Sequence, residues 1–128
     1  MTRSSSIVAV CAGVLIALGV CGQASAAPAQ RGRLLFLRCA SCHDISDKAS
    51  AKTGPNLAGV VGRRAGSLPG YAYSKAMAAQ TFVWTDATLD RWLTRPSDVV
   101  PGTAMAFAGL DSKPDREALI AYLRHPEK

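Results

Sequence analysis

Cys39-Ala40-Ser41-Cys42-His43 is the stretch of this sequence best suited to chemistry. Two thiols separated by two residues can reach the two vinyl groups on one edge of a haem and form thioethers, and the next residue then offers an imidazole to the iron. His43 becomes one axial ligand, and the short tether fixes the ring so that the axial bond costs little ordering entropy. Two other uses of such a pair fit poorly. A redox Cys-x-x-Cys is expected after a strand in a βαβ unit, and no strand pattern occurs here. A structural zinc site takes four ligands, commonly from two such pairs, and the sequence offers one.

The second axial position has few candidates: Met77, Met105, His125 or a lysine. Met105 follows Pro101-Gly102-Thr103 in a loop that can fold over a haem face. Met77 falls in a short helical stretch where core packing is the plainer role. His125 sits at the frayed end of the chain.

The elements that must position these residues are helical. Pro28 can occupy a first turn, and Ala29 to Ala40 has helical spacing, with Leu34, Leu35 and Phe36 as its apolar side. Gly32 inside that helix costs ~1 kcal/mol relative to alanine. It marks either close approach by another helix or tolerance near a fraying end. Residues 44–70 carry turn chemistry and little periodicity, with Gly54-Pro55-Asn56, Gly59, Gly62, Gly66 and Pro69-Gly70 as punctuation. A loop this long in a small domain wraps something or carries function. Ser74 to Gln80 reads as a short helix. Thr85 caps another that runs to Thr94 and stops at Arg95-Pro96. Residues 96–109 form a second loop. The last helix begins between Ser112 and Pro114 and ends by Arg124, with Leu119, Ile120, Tyr122 and Leu123 on its apolar face. The expectation is an all-α domain of three to five helices whose long loops wrap one covalent haem.

Residues 1–26 read as a secretory signal. Arg3 supplies a positive start, Ile7 to Cys21 is an uncharged apolar run, and Ala24-Ser25-Ala26 provides small residues for cleavage. The run is shorter than the ~20 residues of a membrane span. Retention as an inner-membrane anchor, or lipidation at Cys21, are the alternatives, and Val20 is large for a residue preceding a lipidated cysteine. Cleavage after Ala26 leaves a haem domain of residues 27–128 in the periplasm. Cys11 and Cys21 leave with the signal, so of the four cysteines only the haem pair remains. Of 15 Lys and Arg only Arg3 is removed, which leaves 14 against 9 Asp and Glu, a formal +5. The positive charges are scattered, with no dense run and no interleaved aromatics, so nucleic acid is not the expected partner. A moderate positive field suits either a plain solvated surface or acidic protein partners.

Several motifs in order resemble the class I c-type cytochromes, in particular mitochondrial-type cytochrome c and its soluble bacterial relatives. The resemblance covers Gly32 to Lys128. It rests on Gly32-x-x-x-Phe36-x-x-Cys39-x-x-Cys42-His43, Lys52-Thr53-Gly54-Pro55-Asn56-Leu57-Ala58-Gly59, Gly62-Arg63, Pro69-Gly70-Tyr71-Ala72-Tyr73-Ser74, Trp84, Pro101-Gly102-Thr103-Ala104-Met105-Ala106-Phe107 and Leu119-Ile120-Ala121-Tyr122-Leu123.

The resemblance implies one haem c, attached through Cys39 and Cys42, with His43 and Met105 on the iron. It implies that the Pro55 carbonyl accepts the second ring N–H of His43. Arg63, Tyr73 and Trp84 would donate to the haem propionates, Thr103 would donate near Met105, and Leu57 and Phe107 would pack on the ring. Gly32, Phe36, Leu119 and Tyr122 would form the crossing of the first and last helices. Two departures fall in the haem surroundings: Trp92 stands where the family commonly has a tyrosine, and Met77 where it commonly has an asparagine. The lysine ring around the haem edge is altered as well. Arg33 and Arg38 keep its charge by alignment, whereas Ser97, Asp98, Ala104 and Asp111 do not.

His/Met ligation fills both axial sites, and a neutral thioether favours ferrous iron and raises the potential. The expected function is therefore a monomeric single-electron carrier cycling between Fe(III) and Fe(II), not an enzyme. Its donor would be a quinol–cytochrome c reductase or an exported dehydrogenase, and its acceptor a terminal oxidase or other redox protein of a respiratory or photosynthetic chain. A peroxidase or a gas-ligand sensor would need an open or labile sixth position. An anchored cytochrome would need the signal to remain.

Overall fold

A computed structural model describes residues 28–48 and 52–126; the leader assigned to residues 1–26 lies outside the described residues. Five helices follow in order: α1 Pro28–Phe36, α2 Lys75–Ala78, α3 Asp86–Thr94, α4 Pro96–Val99 and α5 Lys113–Arg124. The only extended pairing among the described residues is a single bridge between Arg64 and Val83.

The caps follow from local chemistry. Ser74 accepts a hydrogen bond from the Met77 N–H and starts α2. Thr85 and Thr88 satisfy each other's backbone N–H groups in a capping box that opens α3. Ser112 accepts from the Asp115 N–H at the head of α5, and Pro114 occupies its first turn.

α5 packs against both α1 and α3. At the first crossing Gly32 and Phe36 are buried, and the Phe36 ring lies 5.5 Å from that of Tyr122. A Cβ on Gly32 would lie 2.7 Å from Tyr122 Cβ and closer still to the Ala118 carbonyl oxygen. Close helix approach is thus the reason for this glycine.

Three sequence expectations shift, the first being that residues 96–109, expected as loop, begin with helix α4, because Pro96 suits a first helical turn. α1 ends at Phe36 rather than Ala40. Beyond it Cys39 bonds back three residues to Phe36 O (2.8 Å) and Cys42 to Cys39 O (3.0 Å), so tight turns replace the regular helix. Leu34, expected on the apolar side, is 57% exposed, and the buried stripe of α1 is narrower than its composition suggests.

The rest of the core joins Trp84, Leu89, Trp92, Leu93, Leu119 and Leu123. Trp92 meets Trp84 edge-on at 5.3 Å. The described residues between 43 and 74 contain no helix, and side chains supply much of their bonding. Arg63 donates to Asn56 O (2.9 Å) and Ala58 O (3.1 Å), and the Tyr71 hydroxyl donates to Thr53 O (2.6 Å). These loops, the α1–α2 connection and the α4–α5 connection, enclose a cavity.

Candidate functional site

The cavity has a volume of about 370 Å³ and opens to the surface. Ligand pockets typically hold ~300–1,000 Å³. All eleven residues singled out from the sequence line it: Cys39, Cys42, His43, Pro55, Leu57, Arg63, Tyr73, Trp84, Thr103, Met105 and Phe107.

The turn after α1 presents the attachment motif. Cys39 is half-buried and Cys42 exposed, and neither is in a disulfide. Burial pushes the Cys39 thiol up; Arg38 opposes this and Cys42 adds to it. His43 is buried, with Nδ1 2.8 Å from the Pro55 carbonyl oxygen. That contact assigns the proton to Nδ1 and leaves Nε2 with its lone pair. Gly54 makes the approach possible, since a Cβ there would lie 2.5 Å from His43 Cε1. Burial is the main cause that lowers the His43 pKa; the Pro55 contact raises it, and the nearby Lys52 charge lowers it.

Met105 comes from the loop after α4. Its N–H donates to Thr103 Oγ1 at 3.3 Å, which leaves the Thr103 hydroxyl proton for another acceptor. Phe107 stands at the rim with the Arg38 guanidinium 5.9 Å from its ring centroid, a cation–π contact across the mouth. Arg33 is exposed on α1 and is not among the cavity-lining residues.

The residues present fit a haem. Two thiols for its vinyl groups, an imidazole with a free nitrogen and a thioether share one apolar cavity. Its carboxylates need donors when withdrawn from water. Trp84 and Trp92 are buried, yet neither indole N–H finds an acceptor among the described residues, nor does the Tyr73 hydroxyl. No fully buried side-chain polar atom there lacks a partner, so these donors border the open cavity. Arg63 keeps part of its five-donor fork unspent by Asn56 and Ala58. His125, a rival axial candidate, lies exposed at the end of α5, away from the cavity. Met77 lines the cavity from α2 and is buried in the core.

Sequence reasoning missed two supports. Lys52 Nζ donates to the carbonyl oxygens of Ala40 (2.6 Å) and His43 (3.0 Å), so a cation caps the attachment turn. Tyr71, also in the wall, closes the 66–74 loop onto Thr53 and packs edge-on against Tyr73 at 4.7 Å. A long polar residue in an otherwise glycine-rich loop is a weak signal, and neither pattern points to its acceptor.

Comparison with known proteins agrees with the geometry. Residues 29–126 match the family described as Cytochrome c. A cytochrome c of Euglena viridis is 48% identical over 97 residues, covering 75% of this chain and 94% of its own length. A cytochrome c of Theileria annulata is 46% identical over 97 residues, covering 76% and 84%. A cytochrome c2 of Rhodomicrobium vannielii is 44% identical over 93 residues, covering 73% and 74%.

Proposed function

The chain belongs to the cytochrome c family, and on that premise we propose that His43 and Met105 are the two axial ligands of the iron in a haem c bound through Cys39 and Cys42. Electron transfer is the activity of the family and of this chain. When bound, the group supplies a reversible one-electron Fe(III)/Fe(II) couple. The observation that carries the ligand assignment is the His43 ring, whose Nδ1 is engaged by Pro55 at 2.8 Å while Met105 lines the same cavity.

The protein's own groups then have distinct tasks. Pro55 orients the imidazole and raises its basicity. Arg63, Tyr73, Trp84 and the Thr103 hydroxyl hold the propionate charge, and Leu57 and Phe107 exclude water from the ring. With both axial positions occupied by side chains, an external ligand must displace one. That favours a carrier over a peroxidase or a gas sensor.

The remaining parts of the reading concern the setting. Residues 1–26 act as a cleaved secretory signal and residues 27–128 form the mature domain, which is periplasmic and monomeric. A quinol–cytochrome c reductase or exported dehydrogenase donates electrons, and a terminal oxidase or other acceptor of a respiratory or photosynthetic chain takes them. The sequence of the leader and the cytochrome c2 relatives support this placement.

The test is an optical spectrum of the protein matured in a host with haem-attachment machinery. A far-red sulfur-to-iron charge-transfer band in the oxidised form, and a sharp low-spin α band indifferent to carbon monoxide in the reduced form, are the expected results. A missing band together with ready carbon monoxide binding would refute Met105 as ligand and move the reading to a peroxidase or sensor. N-terminal sequencing checks the leader: a mature chain starting at Ala27 is expected, and one starting at Met1 contradicts cleavage.

A further inference from the structure

The loop that carries Met105 leaves α3 at Arg95 and returns to α5 at Ser112, and its two stems are held differently. The outgoing stem is pinned by its own turns, with the Val100 N–H on Pro96 O and the Thr103 N–H on Val100 O, both at 3.0 Å. The returning stem lies against the end of α3. Leu110 N–H donates to Leu93 O at 2.8 Å. Gly109 takes a φ of +111°, and a Cβ there would lie 2.8 Å from the Thr94 carbonyl carbon.

One side chain closes this stem. Arg116, on α5, is buried, with 7% of its surface exposed. Its Nη1 donates to the carbonyl oxygens of Leu110 and Asp111, both at 2.8 Å. Its Nε donates to Asp90 Oδ1 at 2.7 Å. A single guanidinium thus joins α5, the returning stem and α3.

We infer that Arg116, with Asp90 as its counter-ion, is a positioning residue that latches the base of the Met105 loop and sets how readily that loop opens to release Met105 from the iron. The inference rests on Met105 being the axial ligand. Removing the Asp90 charge leaves the buried guanidinium without its counter-ion, and losing Arg116 strips two carbonyls of their donor. The loss falls on the stem, because the α1–α5 crossing is built from Gly32, Phe36 and Tyr122 and uses none of these atoms. Regions open locally with free energies below the global value, and a ligand-bearing loop is drawn from that class.

Imidazole competition on the haem-loaded full chain tests it. Imidazole replaces Met105 only when the loop opens, and loss of the far-red band follows the replacement. Asp90→Asn and Arg116→Lys are compared with wild type and with Arg31→Ala, which breaks the exposed Arg31–Asp115 pair between α1 and α5. The expected result is an apparent imidazole affinity at least ~10-fold higher in both latch variants and within about twofold of wild type in Arg31→Ala. Equal imidazole affinity in wild type and Asp90→Asn overturns the latch, even if the denaturation midpoint falls. Should Arg116→Lys fail to fold, Asp90→Asn alone decides. Absence of the far-red band in wild type overturns the ligand assignment and the latch together, whereas a normal band that the variants leave unmoved overturns the latch alone.

Discussion

Replacing Gly32 by alanine sets two effects of known sign against each other. In an ordinary helix interior the change stabilises by ~1 kcal/mol through helix propensity. Here the new methyl group would lie 2.7 Å from Tyr122 Cβ and nearer still to the Ala118 carbonyl oxygen. Neither obstacle can rotate away, since one is backbone and the other is the first carbon of a side chain. Relief therefore requires α1 and α5 to part, which loosens the Phe36–Tyr122 contact at 5.5 Å and the packing of Leu119. Overpacking costs ~1–3 kcal/mol, and immovable neighbours place this site at the upper end. The net expectation is a loss of about 2 kcal/mol once the propensity gain is subtracted. Guanidinium denaturation of the haem-loaded protein, followed by circular dichroism, reads this directly. For a slope near ~3 kcal/mol per molar the midpoint should fall by about 0.7 M with the slope unchanged. An unchanged or higher midpoint would show that propensity wins, and the account of the α1–α5 crossing would be wrong.

Three further outcomes can be measured. Thr85→Ala removes one half of the capping box at the head of α3 and should cost about 1 kcal/mol in the same denaturation assay; no change would mean the box is ornamental. Lys52→Gln removes a positive charge that caps the His43 carbonyl at 3.0 Å, so the reduction potential by film voltammetry should fall while Lys52→Arg retains it; equal potentials in all three would leave the lysine a purely mechanical cap. Burial holds the His43 pKa below its ordinary ~6.5, so the folded state binds fewer protons than the unfolded one just beneath that pH, and the contribution is full above ~6.5 and shrinks as pH falls toward the folded value. Denaturation midpoints of the chain before haem attachment should accordingly decline as pH falls below ~6.5, and midpoints that stay level there would show that burial does not hold the imidazole neutral.

The attachment motif was legible because its chemistry is local: two thiols and an imidazole within five residues need no tertiary context to declare a use. Helix starts were legible for a similar reason. Ser74, Thr85 and Ser112 are side chains that serve the backbone three residues on. Stops were harder. The Arg95-Pro96 pair stops α3 after Thr94, as the sequence predicts, but the same ring also begins α4 at Pro96–Val99, because a proline ends one helix and suits the first turn of another.

Arg116 shows a different limit. It sits at i, with Leu119, Ile120 and Leu123 at i+3, i+4 and i+7, so it occupies the buried face of α5 by position. A charge on that face is the signal that could have been used. What the pattern cannot supply is the partner, since Asp90 and the carbonyls of Leu110 and Asp111 meet Arg116 only after the loop has folded back. The same holds for Leu34, whose apolar type promised a wider stripe than the crossing with α5 can cover.

The excess of loop over helix has one physical reason that also ties function to stability. Backbone groups withdrawn from water need partners, and the described residues between 43 and 74 have no helix to provide them. Arg63, Asn56, Lys52 and Tyr71 supply bonds by side chain instead. That solution fixes the loops around the cavity, and a haem tethered to Cys39 and Cys42 would complete the core there. The wall that sets the electronic environment of the iron is therefore the same wall that makes the core. Substitutions among Leu57, Trp84 or Phe107 must disturb both together. Tuning without collapse is open to a charge outside the wall such as Lys52, whose Nζ lies 3.0 Å from the His43 carbonyl oxygen.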